Sequence, residues 1–184
     1  MYIDFESPDQ LANKLAALSD PAAPPLWLVL LADRHGETLG EIAAHLERAG
    51  LQACGGVFPG LIDGVDVRHS GAIAIALPAG SRLAVADLAP GRVAWRSPPP
   101  DLVEGRPASS VVLVDCLGPN VAGLLEDLYD RYGHGLPQFG AGAGYHDLRT
   151  APCLFAQGVA FAGAALIVLT PLPLTVRVRH GWRR

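Results

Sequence analysis

Charge is scarce in this chain. Of its 184 residues 17% are charged, and 14 Lys and Arg against 18 Asp and Glu leave a formal net charge of −4. The cationic excess with which proteins neutralise phosphates is missing, so nucleic acid is excluded as an expected partner. Cysteine is scarce too. Cys54, Cys116 and Cys153 are odd in number, far apart and without a CxxC pair, so they read as reduced, mostly buried thiols. The opening residues, Met1-Tyr2-Ile3-Asp4-Phe5-Glu6, lack a basic n-region and an apolar h-region. No secretory signal is read from them, and the cytoplasm is the expected compartment. No nucleophile elbow, HExxH helix or spaced acid pair is present, and neither glycine-rich segment ends in the Gly-Lys-Ser or Gly-Lys-Thr of a phosphate loop. Assembled catalytic chemistry is therefore absent from the reading, and the chain is not expected to be an enzyme.

Apolar residues, at 50%, are plentiful enough for one substantial core, or one core fused from two similar halves. Residues 150–176 carry no charge and are long enough to span a bilayer as a helix. Gly158 and Gly163 divide that run, Pro171 and Pro173 close it, and Leu166-Ile167-Val168-Leu169 has the β-branched character of a buried strand. A membrane span is not expected.

Along the chain, Ser7 is placed to cap a first helix with Pro8 at its first position and Gln10 closing a capping box. Residues 26–31 read as a central strand ending at Asp33. Thr38 and Glu41 then suggest a second capping box, for a helix with Leu39, Ile42, Ala43 and Leu46 on its apolar face and Gly50 at its end. Residues 72–77 and 83–85, joined through Pro78-Ala79-Gly80, suggest a hairpin. A proline-rich linker follows at 97–107. After it the order repeats. Residues 111–114 read as a strand ending at Asp115, and Asn120 as the cap of a helix whose apolar face is Val121, Leu124, Leu125, Leu128, Tyr129 and Tyr132. Residues 163–169 and 174–176 match the strands at 71–77 and 83–85.

The expected fold is α/β, an α+β layered sandwich in a single domain over 1–184. Two pseudo-repeated strand, helix, glycine turn and hairpin halves, about 1–96 and 108–184, surround a mixed sheet. Each half carries a glycine-rich segment after its helix. Cys54-Gly55-Gly56 lines up with Phe139-Gly140-Ala141, and both are expected to be turns whose amides approach a ligand. The candidate binding residues are Cys54, Gly55, Gly56, Phe58, Gly140, Gly142, Gly144, Tyr145, His146 and Arg149. Nearby polar groups are Arg34, His35, Asp63, Asp66, His69, His134 and Asp147, and His146 is the one candidate for haem or metal ligation. Cys54 and Cys116 are the best nucleophile candidates, but no histidine is evident as their base.

These residues resemble the N-terminal sensory domain of FIST proteins. The similarity rests on the strand at 26–33, Cys54-Gly55-Gly56, the strand at 71–77, the segment 139–144, the strand at 163–169 and His180-Gly181-Trp182. The resemblance implies a small-molecule sensor for amino acids or related metabolites. Some members are similar to haem-binding nitric-oxide sensors that control histidine kinases or cyclic-di-GMP enzymes. It also implies a C-terminal FIST domain following the Gly-Trp segment. The expectation is then of a fragment or short variant whose uncovered apolar face is exposed or buried in a homodimer.

Overall fold

The computed structural model describes residues 1–99 and 108–175. The first helix, α1 (Pro8–Leu18), follows a two-residue strand, β1 (Tyr2–Ile3). It starts where the sequence places it, with the Ser7 hydroxyl accepting from the Gln10 amide at 3.4 Å. The apolar run becomes β2 (Leu26–Ala32). A 3-10 turn (Asp33–Thr38) then intervenes before α2 (Leu39–Arg48), so Thr38 makes no capping bond and its hydroxyl donates to the His35 carbonyl instead. Next come β3 (Ala53–Phe58), the small hairpin β4 (Leu61–Asp63) and β5 (Asp66–Arg68), then β6 (Ala72–Leu77), β7 (Arg82–Ala89) and β8 (Arg92–Ser97). The expected linker falls mainly on 100–107, outside the described residues. Beyond it lie β9 (Ser109–Asp115), α3 (Val121–Tyr132), β10 (Gln138–Ala143), β11 (Leu154–Ala156), β12 (Val159–Phe161) and β13 (Ala164–Thr170).

The strands form two large sheets. One has the order β1-β6-β2-β3-β11-β12 and the other β10-β9-β13-β7-β8, while β4 and β5 pair only with each other. In the first sheet β2 lies between β3, parallel, and β6, antiparallel. In the second, β9 lies between β10, parallel, and β13, antiparallel. The hairpins interleave, because β7 and β8 join the second sheet and β11 and β12 join the first. The expected hairpin between residues 72–77 and 83–85 does not form. Its two strands belong to different sheets, since Leu83, Ala84 and Val85 find better-buried partners on β13 than on the neighbouring β6.

Alternation along β13 sets the layers. Ala164, Leu166 and Val168 face the core between the sheets, and Ala165, Ile167 and Leu169 face α3. The two cores make a mixed α/β layered sandwich, with α1 and α2 on the first sheet and α3 on the second. Leu166 and Ile167 have no exposed surface, and burying each is worth about 1.5–3 kcal/mol. On α3 only Leu124, Leu128 and Tyr132 are buried, whereas Leu125 and Tyr129 are each 52% exposed. Asn120 stands at the start of α3 with φ 62° and makes no capping bond. Residues 171–175 form no strand, and Val176 and His180-Gly181-Trp182 lie outside the described residues. The uncharged run at 150–175 is β11 to β13. Among the described residues no helix is long and apolar enough to cross a membrane.

Candidate functional site

The two glycine-rich segments are strands, not turns. Gly55 on β3 faces Val29 on β2, and Gly140 on β10 faces Val112 on β9. In both places a Cβ would overlap the neighbouring valine's carbonyl oxygen, so the close approach of two backbones, not a chain reversal, requires glycine. Cys54, Gly55 and Gly56 are buried in the sheet. A Cβ on Gly142 or Gly144 would lie 2.8 Å from the Cβ or 2.7 Å from the sulfur of Cys116. The strands meet at their carboxyl ends, where the Gly144 amide donates to the Val57 carbonyl at 2.8 Å.

That junction delivers the loop after β10 to the carboxyl end of β2. Open α/β sheets bind their ligands in the crevice outside strand carboxyl ends. Here the crevice is a cleft of about 310 Å³ lined by Asp33, Arg34 and Glu37 from the 3-10 turn and by Tyr145, His146, Asp147 and Arg149 from the loop. Tyr145 anchors the loop. Its ring is 3% exposed, and its hydroxyl donates to the Pro152 carbonyl at 2.7 Å. Burial raises its pKa, with the Arg149 cation opposing, so it stays a neutral donor. The Arg149 guanidinium stacks over the Tyr145 ring at 4.1 Å and lies 3.7 Å from Asp147. Asp33, with its side chain 17% exposed, accepts from the His146 amide at 3.3 Å and pairs with the His146 ring at 2.8 Å. Arg34 has no hydrogen bond or ion pair among the described residues.

Phe58 and Gly140 border a different space. An apolar cavity of about 460 Å³ opens between the sheets, walled by Leu28, Leu30, Ile73 and Ile75 on one side and Val111 and Leu113 on the other. The predicted site residues thus divide. Tyr145, His146 and Arg149 share the cleft, Phe58 and Gly140 the cavity, and Cys54, Gly55, Gly56, Gly142 and Gly144 hold the framework. Asp63 and Asp66 pair with Arg68 within β4 and β5, and His134 pairs with Tyr129. His35 stacks on Phe5 at 4.1 Å and accepts from the Gly71 amide at 2.9 Å. Burial first, then the Arg34 charge, holds its pKa below the ordinary imidazole value, with Asp4 acting against them.

Burial pushes the Cys54 thiol up to about 12, and burial with Asp115 and Cys116 does the same for Cys153. Both are therefore protonated at neutral pH, the inert form. Cys116 is exposed, and among the described residues no histidine hydrogen-bonds any of the three. No group of three or more His, Cys, Asp or Glu among the described residues can hold a metal ion. The surroundings of His146 do not fit a haem. Charged groups line its cleft where a porphyrin needs apolar walls, and among the described residues no histidine or cysteine lines the apolar cavity. Asp33 and Glu37 were absent from the sequence-derived site. Their only signal is the polar stretch that ends the β2 run.

Fold and cleft together define a mixed α/β sandwich with a charged crevice of small-molecule size at strand carboxyl ends. The chain belongs to the FIST family, whose FIST N domain model matches residues 26–184. Membership is consistent with a sensory domain of signalling proteins. Comparison with curated proteins and with solved structures finds no match.

Proposed function

We propose that this domain is a cytoplasmic small-molecule sensor that binds a free amino acid, or a closely related zwitterionic metabolite, in the cleft between the 3-10 turn and the loop after β10. The observation that carries this reading is the charge pattern. Arg34 and Arg149 suit a carboxylate, while Asp33, Glu37 and Asp147 suit an ammonium group, all around about 310 Å³. The two sides of the cleft come from segments more than a hundred residues apart. A ligand that bridges them favours one packing of turn against loop, and that population shift is the signal passed to a partner in the pathway. Binding and not catalysis is the proposed role, in keeping with the protonated thiols of Cys54 and Cys153.

The test is thermal unfolding in the presence of single amino acids. A ligand at about 100 times its Kd adds about 2.7 kcal/mol of stability. Arg149→Ala and Asp33→Asn should each abolish the shift while keeping the fold. If no amino acid raises the midpoint, the reading is wrong. A Soret band after haem reconstitution that disappears in His146→Ala would replace it with the gas-sensor alternative.

A further inference from the structure

The outer edge of β10 has no strand partner among the described residues and lies apart from the cleft. The Pro137 and Ala143 carbonyls accept from Ser110 and Cys116 on the β9 side, so odd-numbered residues of β10 turn their backbone groups inward. Gln138, Gly140 and Gly142 therefore direct theirs outward, and none has a partner among the described residues. Exposed edges are normally guarded by charge, proline or bulges. The opposite edge of this sheet, β8, carries Arg92 and Arg96, whereas β10 reads Gln-Phe-Gly-Ala-Gly-Ala with none of these guards.

The molecule itself displays what such an edge accepts. Gly55, which meets its neighbour as Gly140 does, faces β11, and Phe155 pairs with it in an antiparallel ladder. A Cβ on Gly55 would lie 3.1 Å from the Phe155 ring, so the aromatic packs into space the glycine leaves. Leu154, Phe155 and Ala156 are all at most 2% exposed, because both faces of the added strand are covered. Both faces beside β10 are also apolar. The 460 Å³ cavity lies on one, and a groove of about 320 Å³ formed with Val112, Val121, Leu125 and Phe139 lies on the other.

We infer that β10 binds an extended, uncharged peptide segment of a partner protein, added antiparallel with consecutive apolar residues and a large one opposite Gly140. A second copy of β10 fits less well, since glycine would then face glycine and leave the cavity unfilled. The β4–β5 hairpin borders the same cavity through Leu61 and Ile62, but its strands pair only with each other and leave the β10 edge without a strand partner among the described residues.

The probe is a labelled, acetylated peptide copying residues 154–161 with a lysine pair at each end, titrated into the full chain by fluorescence anisotropy. Saturable binding is expected, with amide exchange of Gln138, Gly140 and Gly142 slowed at least tenfold. N-methylation of the peptide's phenylalanine amide should weaken binding at least tenfold, as should Ala141→Lys in the protein. The methylated peptide keeps the test valid if that variant fails to fold. The inference is overturned if nothing saturates, if exchange at those three amides is unchanged, or if the methylated peptide binds equally well. A dimer in which the same amides are already protected in the free protein would overturn it too.

Discussion

β3 and β10 begin from the same constraint and end in different circumstances. Each lies parallel to a central strand, and each has a glycine where a side chain would strike a valine carbonyl. β3 is then enclosed by β11, while the outer edge of β10 has no strand partner among the described residues. The segments entering β6 and β13 differ in a similar way. Gly71 and Gly163 both have positive φ, at 75° and 59°. The Gly71 amide donates to a neutral histidine ring, His35, and the Gly163 amide to the buried carboxylate of Asp115 at 2.7 Å. One backbone requirement is therefore met before β6 by an imidazole whose pKa burial and Arg34 hold below the ordinary value, and before β13 by a carboxylate.

The comparison can be broken most severely at the glycines. Gly55→Val, in the enclosed strand, should cost more than about 4 kcal/mol and remove the cooperative unfolding transition in chemical denaturation. Gly140→Val, on an edge free to shift, should cost about 1–3 kcal/mol. Equal costs would mean that enclosure by β11 does not matter. Next in size is Leu128→Ala on α3, expected to cost about 2–5 kcal/mol in the same assay. Leu125→Ala, three residues earlier on the exposed face, should stay within about 0.5 kcal/mol.

Asp115→Ala leaves the Gly163 and Leu117 amides without their acceptor, and about 1–3 kcal/mol should be lost. The smallest effect is the pH dependence of His35. Its folded pKa is depressed, so its contribution is present above the unfolded value of about 6.5 and is lost as pH falls below it. Melting between pH 7.5 and 5 should show a steeper loss for the wild type than for His35→Gln, whose amide oxygen accepts from Gly71 without titrating. Parallel curves would remove His35 from the account.

Much of this fold was legible in sequence because burial pattern and backbone preference agree there. Residues 26–31, 71–77 and 163–169 are uncharged apolar runs, and they became β2, β6 and β13. β3 and β10 were hidden by their glycines, which disfavour strands in isolation and are tolerated here only because a neighbouring backbone comes too close for any side chain. The hairpin expected across Pro78-Ala79-Gly80 failed because adjacency in sequence says nothing about which sheet each strand joins. In the cleft, Tyr145, His146 and Arg149 stood out beside a glycine run. Asp33 did not, since its partner His146 is 113 residues away and only the packing of the 3-10 turn against the loop after β10 brings them together.

The central claim is that the cleft recognises both charges of one small molecule. Calorimetric titration of the domain with a free amino acid, its amide and its N-acetyl derivative tests this most directly. Saturable binding of the free amino acid is expected, with at least a tenfold loss of affinity when either the carboxylate or the ammonium group is blocked. Equal binding of all three compounds, or of none, would contradict it.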